Sequence, residues 1–379
     1  MTKRRKLRVA VVSMGFGSAF VPIYKHHPDV EYVGIVEPDR RQRELVGRRF
    51  DLPRRHADLA DALAGGEYDA VHLVSPIPLH AEQTLAVLRA GLHCACTVPM
   101  ATSLADLRAI VAAQRRGGRT YMMMETAVYT RQFLYLRGLR RELGRIQFLR
   151  GAHYQDMERW PAYWLGLPPM HYATHAVSPC LAIAEARAVR VRCLGSGRMR
   201  KSLHRPYGNP FPIETALFEL DRPNLAMEVT RTLFHTARSY TESFAVYGEK
   251  MGFEWPQIEG EERPIIFRMK PAEPSWRGTP VAWERVEPPD RPDLLPPSIR
   301  RFTVRGHYDD TNPQKTFEVG GGHHGSHPHL VHEFVRGIIE GRRPAIDAVT
   351  AANWTAAGIC AHESALRGGK PVAVPAFGG

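Results

Sequence analysis

The stretch Arg8-Val-Ala-Val-Val-Ser-Met-Gly-Phe-Gly-Ser-Ala-Phe20 constrains this chain more than any other. Val9–Val12 is an apolar run of strand length without alternation, as a parallel strand covered on both faces requires. Gly15 and Gly17 follow at once, and Ser18–Lys25 can open a helix. Strand, glycine turn and helix N-terminus form a cradle for a pyrophosphate, because the glycines let the backbone approach and the free N–H groups meet the charge. Phe20 stands where the third glycine of a G-x-G-x-x-G fingerprint would be, so the turn alone is a weak signal and its context decides. A second apolar run, Tyr32-Val-Gly-Ile-Val36, ends in Glu37, at the distance where a carboxylate takes the ribose hydroxyls of NAD. Glu37 would repel a 2′-phosphate and favours NAD, while Arg40 and Arg41 keep NADP open. Gly15, Phe16, Gly17, Ser18 and Glu37 are the first cofactor candidates.

Residues 7 to about 125 continue to alternate short apolar runs with helical patterns, the signature of a doubly wound parallel sheet. Helices are expected over 40–50, 58–64, 80–90 and 103–116. In such sheets the ligand lies beyond the carboxyl ends of the strands. The runs 69–74, 93–96 and 120–124 end in Ser75-Pro76, Thr97-Val98-Pro99 and Glu125, which join the candidates. After residue 130 the texture changes. A helix over 132–142 precedes alternating, turn-linked strands over 146–154, 189–195, 213–220, 225–234 and 243–247, as in an antiparallel sheet. Residues 257–315, rich in Pro, Glu and Arg, read as a surface excursion, and helices return over 330–340 and 348–366. The expected domains are therefore 1–125, binding the dinucleotide, and 126–379, with an open, mostly antiparallel sheet and C-terminal helices packing back.

Composition sets bounds. With 379 residues, 44% hydrophobic and 24% charged, the chain can bury two cores. No run of 18 apolar residues exists, so no membrane span is expected. The basic start, Met1-Thr-Lys-Arg-Arg-Lys6, runs straight into the first strand and reads as no signal peptide. Five scattered cysteines (Cys94, Cys96, Cys180, Cys193, Cys360) fit reduced thiols and a cytoplasmic protein, and Cys94-Ala-Cys96 lacks zinc spacing. The net charge of +12 comes with 43 arginines against 8 lysines and no basic stripe interleaved with aromatics, so nucleic acid is not an expected partner. The charge can attract an anionic substrate, for which Arg198, Arg200, Lys201 and Arg205 are candidates.

Ser75-Pro76-Ile-Pro-Leu-His80, the strand ending in Thr97-Val98-Pro99 and the antiparallel second half occur in an order that resembles the glucose–fructose oxidoreductase / inositol dehydrogenase / MocA family over nearly the whole length. The first segment is similar to the family's T-P-N-x-x-H near the nicotinamide, with Ile77 in place of Asn. That resemblance implies a Rossmann domain followed by a sheet domain that carries the sugar and often mediates homodimers or homotetramers. The family's dehydrogenases carry Glu-Lys-Pro where this chain has Thr97-Val98-Pro99, and Val98 cannot move a proton. Met122-Met-Met-Glu125 with Tyr129, Gly151-Ala-His153-Tyr154-Gln-Asp156, His171-Tyr172-Ala-Thr-His175-Ala-Val-Ser-Pro179, Arg238-Ser-Tyr240 and His324-Gly-Ser326 are similar, in that order, to motifs of the NAD-dependent glycoside hydrolases of the α-N-acetylgalactosaminidase type.

The chemistry implied is glycosidic cleavage with retained NAD: oxidation at C3, elimination of the aglycone through loss of the C2 proton, water addition and re-reduction. It needs two bases. His175 is expected to take the C3 hydroxyl proton, His153 or Tyr154 the C2 proton, and Tyr172 to hold a substrate oxygen. His171, Trp160, Arg238, Tyr240 and His324 are expected to contact the sugar, while Trp164 can stack on it or pack on the core. His171 and His175 share a helical face and could be satisfied structural residues or, with His323, His324, His327, His329 and His332, zinc ligands; the late histidines are expected rather to line the sugar pocket or the entry to a helix, and no metal is expected. The alternatives are a sugar or cyclitol dehydrogenase, a glycoside 3-dehydrogenase, or a non-catalytic cofactor-binding protein, which the loss of lysine at 98 keeps open.

Overall fold

A computed structural model describes residues 6–378 except positions 206, 257, 259, 262, 273, 275, 276, 310 and 313; most of the basic start, Met1–Arg5, lies outside the described residues. The chain divides into two compact units, Met1–Thr130 with Asp290–Ala352, and Arg131–Pro289 with Asn353–Gly379. The boundary thus falls at 130, and residues 290–352, expected in the second domain, belong with the first.

The first unit is built on β1 (Leu7–Val12), β2 (Val30–Val36), β3 (Arg55–His56), β4 (Ala70–Leu73), β5 (His93–Cys96) and β6 (Tyr121–Met123). All pair in parallel in the order β3-β2-β1-β4-β5-β6. Val9, Ala10, Val11, Ala70, Val71, Leu73 and Cys94–Cys96 are fully buried, which is why these strands read as unbroken apolar runs. The strand order reverses between β1 and β4, and that switch point is where such sheets bind ligands. Asp39, Asp58 and Ser103 cap the helices Arg40–Arg49, Leu59–Ala64 and Leu104–Gly117. The helix expected from Ser18 is split into a turn, Met14–Gly17, and Val21–His26, which restarts with Pro22 in its first turn. The late helix Gly322–Glu340 packs on this second piece: His332 Nδ1 lies 3.0 Å from His27 Nε2, and Arg336 pairs with Asp29 at 2.8 Å.

The second unit is a nine-stranded sheet of β7 (Ile146–Tyr154), β8 (Ala188–Ser196), β9 (Ile213–Leu220), β10 (Ala226–Thr232), β11 (Thr241–Gly248), β12 (Met251–Glu254), β13 (Ile265–Met269), β14 (Val281–Arg285) and β15 (Val372–Ala373). Their order is β14-β13-β12-β11-β7-β10-β9-β8-β15, antiparallel except for β7 with β10. β13 and β14 correct the expected surface excursion. They are short strands at one end of the sheet, β14 forming its edge, and the Pro-rich segments around them masked their alternation. One face of the sheet carries ion pairs, Arg150 with Glu228 and Arg190 with Glu219, and stacked Phe148 and Tyr247. The other is apolar (Val191, Phe218, Met227, Leu149, Val246, Phe253) and is covered by the helix Thr174–Ala184.

Gly151 lets this helix sit down on β7, since a Cβ there would lie 2.1 Å from the Ala176 carbonyl oxygen. Gly151→Ala is expected to lower stability by about 1–3 kcal/mol through overpacking against backbone. The urea midpoint checks it, and an unchanged midpoint would mean that the helix is free to retreat.

Candidate active site

At the switch point of the first unit, Gly17 packs tightly, its Cβ position 3.3 Å from Val11 Cγ1 and 3.4 Å from Val74 Cβ. Gly15 faces open space, with nothing within 4 Å of its Cβ position. Ser18 Oγ donates to the Gly15 carbonyl at 3.2 Å and closes the turn, while the Phe16 ring is 44% exposed. Phe20 is fully buried and packs its ring on His72, so its side chain fills the space that a third glycine would leave. Glu37 Oε2 accepts from Met14 N at 2.7 Å and Oε1 from Asp39 N at 3.0 Å, which fixes the carboxylate beside the turn. Ser75 Oγ is buried with no partner among the described residues. An open glycine turn, an anchored carboxylate and an orphaned hydroxyl at the strand ends fit a dinucleotide.

His80 ties two of the strand-end loops together. Its Nδ1 lies 2.7 Å from the Pro99 carbonyl and its Nε2 2.8 Å from that of Ser75. Carbonyls only accept, so both nitrogens must carry protons to satisfy both. Burial opposes that charge, but Cys96 and the two carbonyls outweigh it, and the pKa is pushed up to about 9. Thr97 Oγ1 reaches the Leu73 carbonyl at 3.4 Å, Val98 is buried, and the Val98–Pro99 peptide is cis. Glu125 is fully buried and caps the turn Thr126–Val128, its Oε1 accepting from Ala127 N at 2.9 Å.

The second unit assembles its own polar group. On the helix-covered face the register sets Glu214 beside Arg231, Arg231 beside His153, and His153 beside Glu242 across β9, β10, β7 and β11. All four are nearly fully buried, one step beyond the apolar row Ala216, Val229, Gly151 and Phe244. Arg231 is the strut: Nε donates to the Tyr172 carbonyl at 2.9 Å, Nη1 to that of His153 at 3.1 Å and Nη2 to Gln155 Oε1 at 3.0 Å. Burial lowers its pKa to about 10, with Tyr172, Tyr240 and Glu242 opposing the shift.

Around His153 stand His175, Tyr240 and Tyr172, with ring centroids at 5.3, 5.1 and 6.0 Å. His175 Nε2 lies 3.3 Å from the Tyr172 hydroxyl, and Nδ1 lies 3.8 Å from Glu242 Oε1. The Tyr240 hydroxyl donates to the same Glu242 oxygen. Trp164 sets its edge on Tyr172 at 4.8 Å. Two imidazoles, two phenols and a buried carboxylate can accept, hold and return protons.

Other expected residues fall elsewhere. Tyr154 follows His153 on β7 and so points to the opposite face. His171 turns away to His362, with ring centroids 5.1 Å apart, and His362 Nδ1 lies 2.6 Å from Glu214 Oε1. Burial, with His362 adding to it, lowers the pKa of His171 to about 3. Trp160 is half exposed against Trp164, and Arg238 donates to Ser239 Oγ at 2.8 Å. His324 lies in the first unit. Among the described residues no group of three or more His, Cys, Asp or Glu is arranged to hold a metal ion. Sequence reasoning missed Glu214, Arg231 and Glu242. Their signal was a charged residue in phase with the inward apolar positions of its strand.

Residues 7–125 match the family model described as oxidoreductase family, NAD-binding Rossmann fold (Gfo/Idh/MocA). The match takes in the parallel sheet of the N-terminal part and stops at Glu125. The chain is 30% identical over 131 residues to 4-carboxy-2-hydroxymuconate-6-semialdehyde dehydrogenase of Sphingobium sp., covering 34% of this chain and 42% of that protein. It is 24% identical over 216 residues to glycosyl hydrolase family 109 protein 1 of Bacteroides thetaiotaomicron, covering 51% of this chain and 46% of that one. The chain thus spans less than half the length of these curated relatives. A solved levoglucosan dehydrogenase, in complex with NADH and levoglucosan, superposes with a TM-score of 0.75 at 17% identity, covering 98% of this chain and all of that one, and so shares the fold. Among the described residues no helix is long and apolar enough to cross a membrane.

Proposed function

We propose that this chain is an NAD-dependent sugar enzyme that cleaves a glycoside through transient oxidation at C3, with no net change of redox state. The observation that carries this reading is the pair of imidazoles, His153 and His175, with ring centroids 5.3 Å apart. Oxidising an alcohol needs one proton acceptor. Oxidation followed by elimination needs two.

Gly15, Phe16, Gly17, Ser18 and Glu37 would hold the dinucleotide, with Ser75, Pro76, Thr97, Val98, Pro99 and Glu125 around the strand ends. Bound there, NAD would supply the reversible removal of a hydride from C3. His175, hydrogen-bonded to Tyr172 and with Glu242 behind it, takes the O3 proton; Val98 has none to exchange. The C3 ketone acidifies the C2 proton, His153 removes it, and the aglycone leaves C1 with its bonding electrons. Tyr172 donates to the enolate oxygen. Water adds its oxygen at C1 and its proton goes to the aglycone oxygen, His153 returns the proton to C2, and the hydride returns to C3 as His175 returns the proton to O3, so atoms and electrons balance. A dehydrogenase that stops after the first oxidation is the second reading, favoured by the relative named as a dehydrogenase.

One assay separates them. The purified protein is incubated with aryl glycosides, neutral and anionic, while aglycone release and reduced-nicotinamide absorbance are followed together. Many turnovers of aglycone without lasting absorbance are expected. Stoichiometric absorbance with intact glycoside would establish the dehydrogenase instead. A homodimer or homotetramer belongs to this reading, supported by Leu194, Leu217 and Trp283 standing exposed on the open sheet face. Light scattering tests it, and a monomer at micromolar concentration would remove it.

A further inference from the structure

The segment Gly320–His327 has no role in the chemistry above, yet it lies against the glycine turn. The Phe16 ring, the middle residue of Gly15–Gly17, stands edge-on to His323 and to His327, both at 5.4 Å between centroids. His327 also packs on Phe20 at 4.5 Å, and its Nε2 lies 3.1 Å from His323 Nδ1, which fixes the His323 ring. His327 is buried, and burial, with His323 next, keeps it neutral by lowering its pKa well below the usual value. It acts as the post on which His323 is mounted.

The backbone here is costly. His323 (φ 43, ψ 59) and His324 (φ 54, ψ 39) are consecutive left-handed residues that are not glycine, and Gly320, Gly321 and Gly325 around them also have positive φ. At Gly325 a Cβ would meet the Thr303 carbonyl oxygen at 2.7 Å, so the strained run is pressed onto the preceding segment with no room to relax. Ser326 Oγ, next in line, is fully buried with no partner among the described residues. Strain of this kind persists where the surrounding structure over-determines it, and it concentrates at ligand clamps.

We infer that residues 320–327 form a second wall of the dinucleotide site, in which His323 and His324 donate N–H hydrogen bonds to the pyrophosphate and slow its release. This rests on the reading of Gly15–Gly17 and Glu37 as an NAD cradle, and it deepens that reading from a cofactor that is bound to one that is retained. A redox-neutral cycle gains from this, since the cofactor never has to leave.

The test is hydrogen–deuterium exchange on the full-length protein freed of nucleotide, with and without saturating NADH. Exchange of the amides of 320–327 is expected to slow roughly tenfold or more together with those of 13–18. In a chase with excess NAD, the double variant His323→Ala, His324→Ala is expected to release NADH about 10- to 100-fold faster, and His323→Gln, His324→Gln to recover much of the difference because an amide N–H still donates. Protection of 13–18 with none at 320–327, or an unchanged release rate, overturns the inference and leaves the cofactor reading standing. No protection at either segment overturns the cofactor reading, and this inference with it. If the alanine variant does not fold, the exchange experiment on the unaltered protein still decides.

Discussion

His175→Ala is expected to lower aglycone release by about 10²–10⁴-fold, the usual worth of a positioned proton acceptor. It should abolish the transient reduced-nicotinamide signal as well, because the O3 proton then has no taker. His153→Ala is expected to lose as much in aglycone release while keeping that signal, since oxidation at C3 precedes the step His153 serves. Rapid-mixing absorbance beside aglycone release checks both variants. Loss of the signal in His153→Ala, or its survival in His175→Ala, would mean that the roles are exchanged or that neither acts as a base. Tyr154→Phe is expected to leave both readings within about twofold, because Tyr154 points to the other face of the sheet.

Arg231→Met is expected to destabilise the second unit by about 3–5 kcal/mol, the range for removing one member of a buried charged network. The guanidinium donates to the carbonyls of Tyr172 and His153 and to the side chain of Gln155 at once, and a thioether would donate to none of them. Arg231→Lys should recover little, because a point ammonium cannot span a planar fork of acceptors. Urea unfolding followed by far-UV circular dichroism gives the magnitude, and exchange of the amides around 153–155 and 169–172 gives the location. Equal stability of Arg231→Met would show that water replaces the guanidinium and that Arg231 does not organise the site.

Much of the first unit was legible because its rules are local. Unbroken apolar runs over Val9–Val12 and Ala70–Leu73 read as parallel strands, and the helical patterns over 40–50, 58–64 and 103–116 fell where the helices stand. The residues gathered around His153 came from matched motifs, and their order along the chain carried most of that information. What escaped was long-range. Glu214, Arg231 and Glu242 each sit in the inward phase of a strand that is otherwise apolar inside, and only the pairing of β9, β10, β7 and β11 lines them up. His171 and His175, spaced like two residues of one helical face, part company because the turn Pro169–Tyr172 ends before the helix Thr174–Ala184 begins. The short strands β13 and β14 hid among prolines, where composition speaks for a loop and only pairing speaks for a strand.

The first unit draws its residues from two distant parts of the chain, 1–130 and 290–352. During synthesis its six-stranded sheet emerges early, but the segment that covers Phe16, Phe20 and His27 appears only after the whole β7–β14 sheet has been made. The nascent N-terminal sheet must therefore wait, partly uncovered, for a late-arriving helix. Its folding is governed by contacts of high sequence separation, which form slowly, and the interval of exposed apolar surface is where aggregation would start and where a chaperone would bind.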